Sequence, residues 1–305
     1  MLGKLHEGLA IDLSKLNQIR IRDGHVTVGL GVQFQDVIGP ILEAGYEMQA
    51  VGSCEPVSVI CATIGGGVGI FQGVLGLKID ALVSVRNVTA KGTVVEASSS
   101  TNSDLLWGMR GAGANFGVIT SATYKLTEAP NGGRVFTADL MYGASQMAKY
   151  FDALKGLEDT MPAELAINIA ITWDATANES YGTFVYSGPE SDAREVLAPS
   201  FAINTAATLT SVVPYNEVPS VILFGMITAL TAPRGIYGIY STNLARFDIG
   251  SFNSAYKTFD AFYYKAYPNG QSSAGVLESF SNQAVAAVPT DATAYPWKAS
   301  KGNLC

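Results

Sequence analysis

Gly65-Gly66-Gly67-Val68-Gly69 decides the fold when it is read with a second stretch, Leu105-Leu106-Trp107-Gly108-Met109-Arg110-Gly111-Ala112-Gly113-Ala114-Asn115-Phe116-Gly117-Val118-Ile119-Thr120. A backbone so rich in glycine can bring its N–H groups against a flat or charged ligand, because no Cβ stands in the way. Neither stretch is a nucleotide-phosphate fingerprint. Ile70 and Phe71 occupy the final positions of any G-x-G-x-x-G, and no G-x-x-x-x-G-K-[ST] occurs in the chain. Taken singly, each stretch reads as a glycine-rich turn inside a sheet.

Composition narrows the class. The 305 residues are enough for one large or two ordinary domains with a sizeable core. Hydrophobic residues make up 48% and charged ones 15%, which excludes a disordered chain. A net charge of −7 with no basic run argues against nucleic acid or an anionic membrane as partner. The longest apolar run, residues 221–230, is about half the ~20 residues that a spanning helix needs. Cys54, Cys61 and Cys305 give neither an even disulfide framework nor a metal spacing. With only His6 and His25, a zinc site or a Ser-His-Asp triad lacks raw material, so no metal is expected. His25 reads as a solvated residue of the hairpin turn Arg22-Asp23-Gly24-His25. Asn87-Val88-Thr89 and Asn178-Glu179-Ser180 are sequons that permit glycosylation in a secreted protein.

The local pattern predicts an α+β chain. Phe34, Val37, Ile38, Ile41 and Leu42 repeat at helical spacing up to Gly45, with Pro40 inside the pattern. Strands are expected over residues 81–85, 94–97 and 118–126. A short helix capped by Asn102 or Ser103 should close at Gly111. Ala129-Pro130-Asn131-Gly132-Gly133 breaks the composition and marks a domain boundary. Beyond it, Leu165, Ile167, Ile169, Ile171 and Trp173 alternate strictly, predicting a half-buried strand that residues 181–187 pair with. Met147, Tyr150, Phe151 and Leu154 mark one helix, and Phe252, Tyr256, Phe259 and Tyr263 another.

Read together, the glycine stretches resemble the FAD-binding domain of the berberine-bridge-enzyme-like oxidases, within the p-cresol methylhydroxylase/vanillyl-alcohol oxidase superfamily. The family pattern appears in order at residues 52–57, at residues 64–69, at Leu75-Gly76-Leu77-Lys78-Ile79-Asp80 and at residues 102–120. The match is strong over residues 8–128 and holds only in style beyond. The resemblance implies the second part of a PCMH-type FAD-binding domain over residues 1–128. An antiparallel-sheet substrate domain backed by helices follows over residues 129–305. By the same resemblance, FAD is lined by Cys54, Val57, Ser58, Ala62, Thr63, Gly65, Gly66, Gly67, Gly117, Val118 and Ile119.

Cys54 falls where many members form a thioether to the flavin ring. The alternative for it is a buried structural cysteine, since Ser58 replaces the family's usual glycine, and Ile60 and Cys61 stand where small residues are common. Cys61 is expected to serve packing. Trp107 should pack inward and Arg110 tie down a neighbouring turn. The family's histidine-bearing loop is not present upstream of residues 2–14. Ala294-Tyr295-Pro296-Trp297-Lys298 resembles the family's Y-P-x-R region, after which relatives continue. The chain therefore looks truncated at both ends, with its compartment left open.

The implied function is an FAD-dependent oxidase of a small organic molecule, a secondary metabolite or a carbohydrate, reoxidised by oxygen. The alternative is a truncated non-redox scaffold that binds FAD weakly or not at all, serving as a binding module or a cyclase. The base in relatives is often a tyrosine or carboxylate of the substrate domain. Twelve of the fourteen tyrosines lie after residue 130, and no single one is singled out.

Overall fold

A computed structural model describes residues 8, 10–49, 56–173, 178–226, 240–246, 248–267, 273–300 and 302–304. Cys54, within residues 50–55, lies outside the described residues. The first part of the chain runs through β1 (Ile19–Arg22), β2 (His25–Gly29), β3 (Tyr46–Glu47), β4 (Leu82–Val88), β5 (Val94–Ser98), β6 (Val118–Lys125) and β7 (Thr127–Glu128). Five of these strands form an antiparallel sheet in the order β1-β2-β6-β4-β5, while β3 and β7 pair with each other. The second part supplies β8 (Arg134–Gly143), β9 (Leu165–Trp173), β10 (Asn178–Tyr186), β11 (Ala207–Pro214), β12 (Thr242–Leu244), β13 (Gly275–Phe280) and β14 (Gly302–Leu304). They form a seven-stranded sheet in the order β11-β8-β10-β9-β13-β14-β12.

The expected local elements are present, each for an identifiable reason. Asp23 and Gly24 both have positive φ, 50° and 68°, which is the two-residue turn whose twist suits a hairpin. His25 opens β2, with its Nδ1 2.8 Å from Asp23 O. Helix α1 (Phe34–Glu43) buries Phe34, Val37, Ile38 and Ile41. It starts where the Asp36 carboxylate accepts the Gln33 N–H at 2.9 Å, runs through Pro40, and ends before Gly45 at φ 84°.

Two short helices, α2 (Val59–Ile64) and α3 (Gln72–Leu75), flank the triple glycine, and α4 (Ser103–Ala112) precedes the second glycine turn. Gly111 does end the regular part of α4: helical dihedrals are lost at Arg110 and Gly111. Asn102 stands at its start but does not cap it through its side chain, which donates to Glu96 O at 2.7 Å.

Arg110 ties down the start of β4, directly after a turn, donating to Leu82 O at 2.6 Å. Trp107 departs from expectation. Its side chain is 46% exposed, and its indole N–H reaches Asp291 O at 2.7 Å. The inward face of α4 is filled by Leu106 and Met109, so the indole lies outside. Cys61 is also exposed and contributes no core packing, because it falls on the outer face of α2. The sequon asparagine Asn87 is fully buried, with its amide donating to Phe116 O at 2.8 Å, which closes that sequon in the folded chain.

In the second part, α5 (Met147–Lys155) lays Met147, Tyr150, Phe151 and Leu154 on one face of the seven-stranded sheet. Tyr150 stacks on Tyr142 of β8 at 4.2 Å between ring centroids. The second expected helix runs over Ile249–Thr258 and continues as a π-helical turn, Phe259–Ala266.

Strand β9 corrects the expectation of a half-buried strand. Leu165, Ile167 and Ile169 join the core under α5, while Ala166 on the opposite face joins a second core with Ile70, Phe71 and Phe280. β9 sits between β10 and β13, in the interior of the sheet. That second core is continuous from Val26 and Val28 of the first sheet to Val185 of the second, so the two sheets share a hydrophobic interior.

Candidate functional site

Val57 and Val59 are pinned to the start of α1 and to the segment between β2 and α1. Phe34 N donates to Val57 O at 3.0 Å and Val59 N to Val32 O at 3.1 Å. Ser58 caps α2, accepting from Cys61 N at 3.4 Å while its hydroxyl donates to Leu30 O at 2.8 Å. The serine that replaces the usual glycine therefore has a structural use. Val57 and Ala62 are half-buried. Thr63 is sealed, its hydroxyl donating to Val59 O at 2.7 Å and accepting from Tyr124 at 3.0 Å. Burial pushes the Tyr124 phenol well above its ordinary value.

The triple glycine that follows serves two surfaces. Gly65 is exposed, and a Cβ placed on it would meet nothing within 4 Å. Gly66 and Gly67 face the chain's own side chains instead. A Cβ on Gly66 would stand 2.6 Å from the Tyr295 ring, and one on Gly67 2.1 Å from Lys78 Cβ. With φ at 139° and 74°, Gly66 and Gly67 both hold backbone conformations that a side chain would strain. Lys78 N and Ile79 N close the turn by donating to Gly67 O and Gly66 O at 3.1 and 3.3 Å.

Lys78 is fully buried, and its ammonium nitrogen has no hydrogen-bond partner among the described residues. It lies 4.6 Å from the centroid of the Tyr124 ring. Loss of hydration drives the Lys78 amine well below its ordinary value. Two residues on, Asp80 accepts from Leu77 N at 3.1 Å and forms an ion pair with buried Lys298 at 3.4 Å. The motif at residues 75–80 is thereby fastened to the one at residues 294–298.

The second glycine turn lies where β6 begins. Gly117 is exposed with φ 124°, and a Cβ there would fall 2.2 Å from Val88 O, so only glycine fits. Val118 is half-buried and Ile119 buried; they pair with Val88 and Asn87 of β4. Asn87 Oδ1 is buried beside this turn, without a hydrogen-bond partner among the described residues. The two glycine turns are bridged through α4 and the residues after it. Gly113 abuts Ile64, its ideal Cβ 2.7 Å from that side chain; Gly111 abuts Tyr295 and Gly108 abuts the Phe116 ring.

A dinucleotide needs unobstructed backbone and polar groups not already engaged. Exposed Gly65, with open space where a Cβ would stand, offers the first, and the Asn87 amide oxygen, without a partner among the described residues, offers the second. The residues present fit such a group. Among the described residues no cluster of His, Cys, Asp and Glu could hold a metal ion. None of the described helices is long and apolar enough to cross a membrane.

The profile of a family described as FAD binding domain matches residues 1–98. A FAD-linked oxidoreductase of Pyricularia oryzae, OXR1, is 41% identical over 301 residues, which is 97% of this chain and 59% of that protein. The chain is a homologue of the FAD-linked oxidoreductases. It spans about three-fifths of the length of the relatives it matches.

Among solved structures, the BBE-like 1 protein of Physcomitrella patens superposes with a TM-score of 0.77 at 19% identity, covering 95% of this chain and 64% of that one. The carbohydrate oxidase of Microdochium nivale gives 0.72 at 21% identity, with 95% and 63% covered. At these identities the likeness is one of fold: a mixed α+β chain whose antiparallel sheets match those of the berberine-bridge-like oxidases. The fold of this chain includes three features that its motifs did not show. They are the Tyr295 cover on the glycine turn, the Asp80–Lys298 pair and the unpartnered Lys78. Lys78 was visible in the motif at residues 75–80, but nothing local marked it as buried.

Proposed function

We propose that this chain forms part of an FAD-dependent oxidoreductase that oxidises a small organic molecule, with residues 1–128 as the cofactor side and residues 129–305 as the substrate side. The carrying observation is the exposed, unobstructed backbone at Gly65, with exposed Gly117 at the second turn, within a chain that matches a FAD-linked oxidoreductase over 97% of its length. When bound, FAD supplies an acceptor for a hydride from the substrate, and molecular oxygen takes the electrons onward.

The residues proposed to hold it are Cys54, Val57, Ser58, Ala62, Thr63, Gly65, Gly66, Gly67, Gly117, Val118 and Ile119. Their contributions differ. Gly65, Gly117 and Val118 would present backbone. Ser58 fixes the entry of α2, and Thr63 with Tyr124 fixes its underside. Gly66 and Gly67 set the turn's shape through Tyr295 and Lys78. Ile119 and Val57 supply apolar surface that keeps water from the reacting atoms. For Cys54 we propose a thioether to the cofactor as the family's alternative to purely non-covalent holding.

The test is colour. Purified protein given FAD is expected to stay yellow after gel filtration, and Gly65→Val is expected to reduce the flavin retained. A protein that remains colourless in FAD, with its fold intact by circular dichroism, removes the proposal. Flavin that survives acid precipitation but is lost in Cys54→Ser would establish the thioether.

A further inference from the structure

The first glycine turn is held at its two ends by different means. At one end, Gly66 O and Gly67 O accept from Ile79 N and Lys78 N, which follow shortly in the chain. At the other end, Gly69 and Phe71 are buried, and a buried backbone group needs a partner. Gln49, 20 residues before Gly69, supplies two. Its Nε2 donates to Gly69 O at 2.9 Å, and its Oε1 accepts from Phe71 N at 3.1 Å. A side-chain amide carries donor and acceptor side by side, so one residue meets a carbonyl and an N–H of the same backbone segment. Gly69 O also accepts from Gln72 N at 3.0 Å, where α3 begins.

Gln49 is anchored in turn from the second part of the chain. Tyr215, directly after β11, donates its hydroxyl to Met48 O, the carbonyl just before Gln49. The Tyr215 ring also lies against Phe71, with centroids 5.0 Å apart and planes at 48°. Met48, Gln49, Phe71 and Tyr215 close a circuit in which each meets the next, and none is more than 3% exposed. One stretch of the circuit precedes the glycine turn, one ends it, and one comes from the side of the seven-stranded sheet. A close-packed interior of this kind transmits a displacement instead of absorbing it.

We propose that Gln49 is a positioning residue: its amide sets the shape of the glycine turn that would hold the cofactor, and Tyr215 fixes that amide from the substrate side. The inference rests on the oxidoreductase reading above and adds to it a physical link between the two parts. Gln49 acts through Gly69 and Phe71, not through contact with reacting atoms.

Two substitutions separate the two bonds. Gln49→Met keeps the length of the side chain and removes both. Gln49→Glu keeps the acceptor for Phe71 N; ionised, it has nothing to donate to Gly69 O, and protonated, its hydroxyl donates there again. Glu47 and Tyr215, the titratable neighbours on this strip, are the same in both variants, so any difference between the two belongs to residue 49.

The experiment measures, in the full chain, amide hydrogen exchange at residues 69–71, FAD retention on gel filtration and the absorption bands of the retained flavin. The Phe71 amide of the wild type should be protected. Gln49→Met, checked for fold by circular dichroism, is expected to speed exchange there about tenfold, to weaken FAD retention by about as much and to shift the flavin bands. Gln49→Glu should match Gln49→Met at about pH 9 and the wild type at about pH 5. Tyr215→Phe keeps the ring, loses the hydroxyl and should show the same changes at about threefold. If the Gln49 variants fail to fold, Tyr215→Phe and the wild-type protection of Phe71 decide. An unprotected Phe71 amide in the wild type, unchanged exchange in the folded variants, or a Gln49→Glu that ignores pH overturns the proposal. FAD held equally by wild type and Gln49→Met overturns it too, and leaves the oxidoreductase reading standing. A wild type that takes up no FAD sinks that reading, and the cofactor role of Gln49 with it, whatever the exchange shows.

Discussion

Lys78 and Lys298 are both buried, and among the described residues only Lys298 has an anion. Lys298, 2% exposed, meets Asp80 at 3.4 Å and Pro289 O at 3.1 Å. Lys78, with no exposure at all, has its methylene chain against the Gly67 turn and its nitrogen over the Tyr124 ring. The first lysine joins two motifs far apart in the chain, so its charge has a structural use. The second is held by packing, and its charge is a cost that the fold avoids by disfavouring the proton. Burial alone therefore does not say what a lysine contributes; the partner does.

The largest expected effect comes from breaking the paired site. Asp80→Asn leaves Lys298 buried and charged without its anion, and should cost about 3–5 kcal/mol. A urea midpoint unchanged from wild type would show that Pro289 O alone satisfies that ammonium.

The unpaired site should respond in the opposite direction. Lys78→Met keeps the volume and removes the desolvated amine, and should be neutral to stabilising by about 1–4 kcal/mol. The pH dependence gives a sharper reading. The folded-state pKa of Lys78 lies below the ordinary 10.5, so the unfolded chain binds the proton first as pH falls. Wild-type stability should therefore decline from pH 10.5 downward until the folded-state value is reached. Lys78→Met should lack that decline. Parallel profiles for the two proteins would place a partner on the Lys78 nitrogen.

A smaller effect extends the comparison to a buried acid. Glu47 is 2% exposed, its Oε1 has no partner among the described residues, and burial raises its carboxyl from the ordinary 4.5 to about 7. Here the folded chain holds the proton that the unfolded chain has released. Stability from this group is complete below 4.5 and is lost as pH rises through about 7. Glu47→Gln, which cannot ionise, should flatten thermal stability across that window. A wild-type profile that Glu47→Gln leaves unaltered between those values breaks the argument.

How much of this was legible before folding depends on distance along the chain. The hairpin at Asp23-Gly24, helix α1, helix α5 and the alternation of residues 165–173 were readable, because each is a periodicity of a few residues set by backbone geometry. The end of α4 at Gly111 was readable for the same reason. Burial was misjudged wherever it depended on a remote element. Residues 165–173 alternate as though one face met water, yet Ala166 is sealed by a core that includes Phe71 and Phe280. Trp107 was expected inside, but Asp291, 184 residues away, gives its indole N–H a partner at the surface.

The sequence by itself determined the α+β class, the two glycine turns and the kinship with FAD-linked oxidoreductases. Glycine at Gly67 and Gly117 is a local requirement of backbone shape, and it leaves a local trace. Only the tertiary structure decided which glycines remain open, which buried lysine has an anion, and which polar side chain holds the far end of the first glycine turn. Gln49 stands between Met48 and Ala50 and looks unremarkable there. Folding put its amide on Gly69 and Phe71, and brought Tyr215 from the second part of the chain against Met48 and Phe71. Such pairings arise from the collapse of distant segments onto a common core, where hydrogen-bond satisfaction and close packing select partners that no local pattern encodes.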